Sequence, residues 1–195
     1  MARDTLAVVA DEVLVVLYAN GDADAARVLA LRVVPRLLGY AGRLLADRAE
    51  AEDIAQEAML RLWRVAPDWR QGEAKVSTWL YRVVTNLCTD RLRARKRRQT
   101  DALDQVAEPE DSAPGVVAGL IEADRMAALT AALAQLPDRQ REAVVLRHIE
   151  GLTNPEIAEI LQIGVEAVES LTARGKRALT AALAGHRQAL GYEEA

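Results

Sequence analysis

Residues 152–183, LTNPEIAEILQIGVEAVESLTARGKRALTAAL, read as helix, tight turn and helix. Thr153 with Glu156 has the form of a capping box, and Pro155 falls in the first turn, where its missing N–H costs little. Ile157, Ile160 and Leu161 then recur at helical spacing. Gln162, Ile163 and Gly164 interrupt the run, and Gly164 is the residue expected to take unusual backbone angles. In the second helix Val168, Leu171, Gly175, Leu179 and Leu183 share one side, while Glu166, Ser170, Arg174 and Arg177 face away. Two short helices joined this way form a helix-turn-helix, whose second helix can enter a DNA major groove. An ordinary helical hairpin has the same pattern, so this stretch alone leaves both open.

Length and composition narrow the setting. The chain has 195 residues, 51% of them apolar and none of them Phe. That is enough for a core and one or two domains. No run of about 18 apolar residues suggests a membrane span. Asp4, Asp11 and Glu12 interrupt the N-terminal pattern a signal peptide needs. Cys88 is the single cysteine, and His148 and His186 are the two histidines, so neither an intramolecular disulfide nor a Cys/His metal site is expected. A reducing cytoplasm fits.

The net charge of −4 is unevenly spread. Residues 1–98 carry 17 basic and 13 acidic side chains, residues 99–124 none and 7, and residues 125–195 carry 8 and 9. The basic excess lies in the first half, where six of residues 91–98 are Arg or Lys.

The rest of the chain reads as helix throughout. Residues 4–19 predict a helix ended by Asn20-Gly21, and Asp22 can cap the next, running to about Leu38. Pro35 is expected to kink or shorten it, with a short helix from Tyr40 to Leu45 following. In residues 49–65, Ala51, Ile54, Ala55, Ala58 and Leu62 form the apolar stripe. Asp53, Gln56, Glu57, Leu60 and Arg64 lie opposite, either a solvated face or a partner-binding one. Pro67 ends this helix. Residues 68–76 read as a loop, with Ser77 as a plausible N-cap for a helix through Arg98. There Leu80, Val83, Val84, Leu87 and Leu92 are the buried side; Trp79, Arg82, Asn86, Thr89, Asp90, Arg93 and Arg97 line the other. Trp79 taken alone reads as core. The like charges of Arg91, Arg93, Arg95, Lys96, Arg97 and Arg98 repel unless a polyanion is present, which points to phosphate. Residues 99–119 read as an acidic linker with Pro109, Pro114 and Gly115. Residues 120–136 and 137–148 predict two further helices, closed by Gly151.

Three segments together resemble the extracytoplasmic-function sigma factors of the sigma-70 family. AEDIAQEAMLRLW (51–63) is similar to the family's core-polymerase-binding helix, STWLYRVVTNLCTDRLRARKRR (77–98) to its promoter-melting segment, and residues 136–171 to its minus-35 domain. The resemblance implies an all-α chain of two domains. Residues 1–98 would bind core polymerase and melt the minus-10 element, and residues 120–195 would read the minus-35 element through the helix-turn-helix. It implies that Asp53, Gln56, Glu57 and Leu60 dock on polymerase. Trp79, Arg82, Asn86, Arg91, Arg93, Arg95, Lys96 and Arg97 would face the melted DNA. Glu169, Ser170, Arg174, Lys176 and Arg177 would face the minus-35 duplex. It implies core RNA polymerase, promoter DNA and an anti-sigma factor as partners, with no cofactor, metal or catalytic residue. Two departures stand out: the family's usual basic residues on either side of the serine are Glu169 and Leu171 here. Glu can accept from a cytosine amine but repels phosphate. Other readings are a sigma-like decoy that occupies an anti-sigma factor without engaging DNA, and a stand-alone helix-turn-helix repressor. An enzyme has no nucleophile–base constellation to support it.

Overall fold

The structure, a computed structural model, describes residues 6–70, 72, 75–101 and 117–184. Every regular element among them is helical: α1 (Asp11–Ala19), α2 (Ala23–Leu45), α3 (Arg48–Val65), a 3-10 turn (Ala66–Asp68), α4 (Val76–Asp101), α5 (Val117–Ala134), α6 (Asp138–Val144), a π turn (Val145–Ile149), α7 (Asn154–Leu161) and α8 (Val165–Ala184). Helices α1–α4 form one unit and α5–α8 a second. Most of the expected linker, residues 102–116, lies outside the described residues, as does the tail from 185.

The helix expected over residues 4–19 is interrupted: Leu6 is helical, residues 7–9 turn, and the described helix α1 begins at Asp11. Arg32 of α2 explains the turn before it. Its guanidinium donates to the carbonyls of Leu6, Ala7 and Val9 and to Asp11 Oδ1. Those carbonyls therefore satisfy their hydrogen bonds on a side chain instead of continuing a helical ladder.

Asp22 caps α2 as expected, accepting from Ala25 N at 3.1 Å. Pro35 does not end that helix, which runs unbroken from Ala23 to Leu45. Pro35 is exposed, one turn after Leu31, which is 68% exposed. The carbonyl that loses its partner thus faces water, and buried Leu29, Val33, Leu37, Tyr40, Ala41 and Leu44 hold the other face. The expected stripe of α3 is buried throughout, with Met59 added to it.

Helix α4 begins at Val76, so Ser77 is not its N-cap. The Val76 N–H instead donates to Glu12 Oε1 at 3.0 Å, a cap supplied by α1 from 64 residues away. Leu80 and Val84 are buried as expected, but so are Tyr81, Thr85 and Cys88 on an adjacent stripe. Tyr40 and Thr85 hydroxyls meet at 2.8 Å inside the core, and Thr85 donates to the Tyr81 carbonyl, which leaves Tyr40 as the donor between them. Burial pushes the Tyr40 hydroxyl pKa well up.

In the second unit Arg141 is almost fully buried and ties helix ends together, donating to the carbonyls of Leu133, Ala134, Leu136 and, across the units, Leu44. The capping box of α7 is present, with Glu156 accepting from the Thr153 N–H and hydroxyl. At the turn it is Gln162, with φ 54°, that takes the left-handed conformation. Gly164 does not; its carbonyl accepts from Val168 N at the start of α8.

Candidate nucleic-acid interface

Helix α3 presents its polar face outward. Asp53, Gln56 and Leu60 are exposed, the last by 43%. Glu57, beside them, accepts from Arg61 Nε at 2.8 Å, and that bond holds its carboxyl below the usual range. That face sets a leucine at the surface beside an amide and two carboxylates.

Helix α4 carries the aromatic and basic face. Trp79 is half-buried and stacks edge-on against Trp69, with ring centroids 6.0 Å apart. It is therefore neither fully core nor free. Trp69 and Trp79 line a cleft of about 380 Å³ together with Arg70, Arg82 and Glu159. The Trp69 indole nitrogen is buried without a hydrogen-bond partner. Trp69 was absent from the expected set; its sequence signal is a second tryptophan before the Gly72 loop, ten residues from Trp79. Asn86 lies exposed one turn beyond Arg82.

The basic terminus of α4 divides by environment. Arg97 and Arg98 are exposed, and Arg93 is exposed with Asp90 3.9 Å away. Arg91 sits 3.7 Å from Glu50. Arg95 is held at the α2–α3 corner by the Leu45 carbonyl, Asp47 and Glu50, a structural duty that the spacing of like charges did not foretell. Lys96 reaches Asp138 of the second unit at 2.8 Å.

Along α8, Glu166, Glu169, Ser170, Ala173, Arg174, Lys176 and Arg177 are all exposed, as the periodicity predicts. Val168 and Gly175 are buried beneath them. Arg174 Nη2 donates to Ser170 Oγ at 2.8 Å, and Asn154 approaches Glu169 at 3.4 Å. The side presented is thus mixed in charge and uninterrupted over three turns.

The pattern "Sigma-70 region 2" matches residues 29–98, and "Sigma-70, region 4" matches residues 126–179. Over 182 residues the chain is 33% identical to the RNA polymerase sigma-H factor of Pseudomonas aeruginosa, covering 89% of this chain and 93% of the relative. It is 39% identical over 147 residues to the ECF RNA polymerase sigma factor SigW of Bacillus subtilis, covering 70% and 77%. The chain belongs to the extracytoplasmic-function sigma factors of the sigma-70 family. Its fold is also that of the sigma factor RpoE from Bartonella quintana, solved with the anti-sigma factor NepR, at a TM-score of 0.65 and 23% identity over 80% of this chain and 94% of that one.

This sigma factor is therefore a transcription-initiation subunit built from regions 2 and 4. The exposed faces of α3 and α4 lie within the region 2 match, and α8 lies largely within the region 4 match. Among the described residues no helix is long and apolar enough to cross a membrane, and no cluster of His, Cys, Asp and Glu could hold a metal ion.

Proposed function

We propose that residues 1–98 engage core RNA polymerase and the minus-10 element and residues 120–195 the minus-35 element, with these contacts divided among three faces. Asp53, Gln56, Glu57 and Leu60 of α3 dock on polymerase. Trp79, Arg82 and Asn86, with the basic end of α4, hold the unpaired minus-10 strand. Glu169, Ser170 and Arg174 of α8 read the minus-35 duplex, while Lys176 and Arg177 meet phosphate. The observation that carries this reading is the Trp69–Trp79 cleft bordered by Arg82. Two indoles and guanidinium groups around an open cleft suit a base taken out of the stack. Arg95, held by the Leu45 carbonyl and the Asp47 and Glu50 carboxylates, supports the α2–α3 corner more than it meets DNA.

The factor acts in the cytoplasm under an anti-sigma factor, a reading supported by the Bartonella quintana complex of the same fold. An apolar groove between α2 and α3, lined by Val34, Leu38, Met59 and Trp63 next to Gln56, is the surface such a partner would share with polymerase.

The test is in vitro transcription with core polymerase on a randomised promoter library. Selection of a defined pair of elements supports the reading. No stimulation over core alone overturns it. Asp53→Ala with Gln56→Ala should reduce co-purification with core while leaving the fold intact.

A further inference from the structure

Helix α8 carries its charge unevenly along its length. Glu166 and Glu169 lie toward its N-terminal end, and Arg174, Lys176 and Arg177 toward the other. Glu166 falls in the first turn, where a carboxylate stabilises the positive end of the helix dipole. That account does not extend to Glu169. It is the fifth residue of the helix, and the dipole effect falls off within one turn. A carboxylate on a face that meets DNA repels phosphate, a cost offset only by a specific donor.

Glu169 is also held in place. Half-buried Asn154, the first residue of α7, donates from Nδ2 to Glu169 Oε1 at 3.4 Å. The bond crosses the helix-turn-helix between residues 15 apart in sequence. It leaves the second oxygen of this exposed side chain for a donor outside the chain. Glu166, equally exposed, has no such tether among the described residues. On the other side of exposed Ala173 stands Arg174, steadied by Ser170 Oγ, which accepts from its Nη2 at 2.8 Å. An acceptor and a guanidinium fork thus flank a small residue, which lets the helix come close to base edges.

We infer that Glu169 reads a cytosine of the minus-35 duplex through its N4 amine, with Asn154 as the positioning residue. This rests on the proposed reading of α8 as the minus-35 helix and adds the base that its acidic end selects. The N-terminal residues of a recognition helix are the ones that meet base edges. An ionised carboxylate only accepts, so it needs an amine. Guanine presents N7 and O6 and thymine presents O4, all acceptors that repel it. Adenine offers N6 but sets the N7 acceptor beside it. Cytosine offers N4 with no acceptor of its own on that edge. Because Asn154 already fixes one oxygen, less side-chain freedom is lost on binding.

The test is selection from a duplex library randomised over the minus-35 element, by holoenzyme assembled from core polymerase and the full chain. Wild type should prefer one cytosine by about fivefold or more, at a base pair separate from the guanine assigned to Arg174. Glu169→Gln should exchange that cytosine for adenine, because an amide pairs with adenine N6 and N7. Asn154→Ala should lower the cytosine preference and leave the guanine preference intact, whereas a merely structural role would weaken every position together. Glu166→Gln removes the same charge from the same helix, and should tighten binding to all sequences without changing any base. A cytosine preference indifferent to both Glu169→Gln and Asn154→Ala, or one moved equally by Glu166→Gln, overturns the inference. So does an Arg174-dependent guanine with no cytosine beside it, and in that case α8 remains the minus-35 helix. Selection at no position of the library removes α8 from the groove, and the proposed function falls together with the inference.

Discussion

Gly175 is where α8 comes nearest to α6. A Cβ built there would lie 2.5 Å from Val144 Cγ2 and 3.1 Å from the Gln140 carbonyl. Gly175→Ala should therefore cost about 1–3 kcal/mol through overpacking, measured by urea unfolding, although alanine is the better helix former. At the same scale, Arg174 is the residue of α8 suited to a bidentate guanine contact. Arg174→Ala should lose about 1–3 kcal/mol of discrimination at one base pair on a randomised minus-35 library, and Lys176→Ala should weaken all sequences alike. The burial of Gly175 and the exposure of Arg174 were both legible as helical periodicity. The turn between α7 and α8 departs from the expectation. Glycine is the residue that favours positive φ, yet Gln162 holds it and Gly164 does not. Composition says which residue takes such angles cheaply; the helix end says where one is needed.

Helix α4 shows what a single element reveals and withholds. Its apolar stripe at Leu80 and Val84 and its basic end were visible in the pattern. Its true cap was not, because Glu12 arrives from another helix, and a local search stops at Ser77. Asn86→Ala should lower open-complex formation more than initial promoter binding, read by permanganate reactivity of unpaired thymines. Equal loss in both would make Asn86 a general affinity residue. Helix α2 offers the opposite case. Pro35 looks like a break on sequence grounds, but an exposed proline within a helix packed along its other side only removes one bond. Pro35→Ala restores an N–H for the Leu31 carbonyl, and thermal melting should show a more stable protein, by about 1–3 kcal/mol.

Across the whole molecule, the buried stripe of Tyr81, Thr85 and Cys88 lies next to the second unit's face. Tyr81 reaches Glu150, 69 residues later. No periodicity in residues 77–98 distinguishes such a stripe from a solvated one, since its neighbours come from far along the chain. Two carboxylates there titrate in opposite senses. Burial raises the Glu142 pKa above the ordinary 4.5, partly offset by Arg139. Its charge therefore costs stability at neutral pH, and that cost fades as pH falls through the raised value. Hydrogen bonds from Lys75 and Thr153 lower Glu156 to about 2. Its contribution is whole above 4.5 and is lost as pH falls toward 2. The melting temperature should rise on mild acidification and fall below about 4.5. Glu142→Gln should flatten the first limb and leave the second. A first limb unchanged in the variant would remove Glu142 from this account.

The placement of Arg141 bears on how the molecule comes apart. Three of its four carbonyl acceptors, Leu133, Ala134 and Leu136, belong to its own unit, and one, Leu44, belongs to the other. Separation of the units costs Arg141 a single bond and hands the Leu44 carbonyl to water, while the knot among α5, α6 and the turn between them survives. Each half can then act as its own cooperative block. Scanning calorimetry of the chain should give heat absorption in one merged peak. Release of the contact between the units by salt should resolve it into two, so that the calorimetric enthalpy exceeds the van't Hoff value. For a subunit that must straddle a much larger machine, parting without unravelling is the mechanical property that matters most.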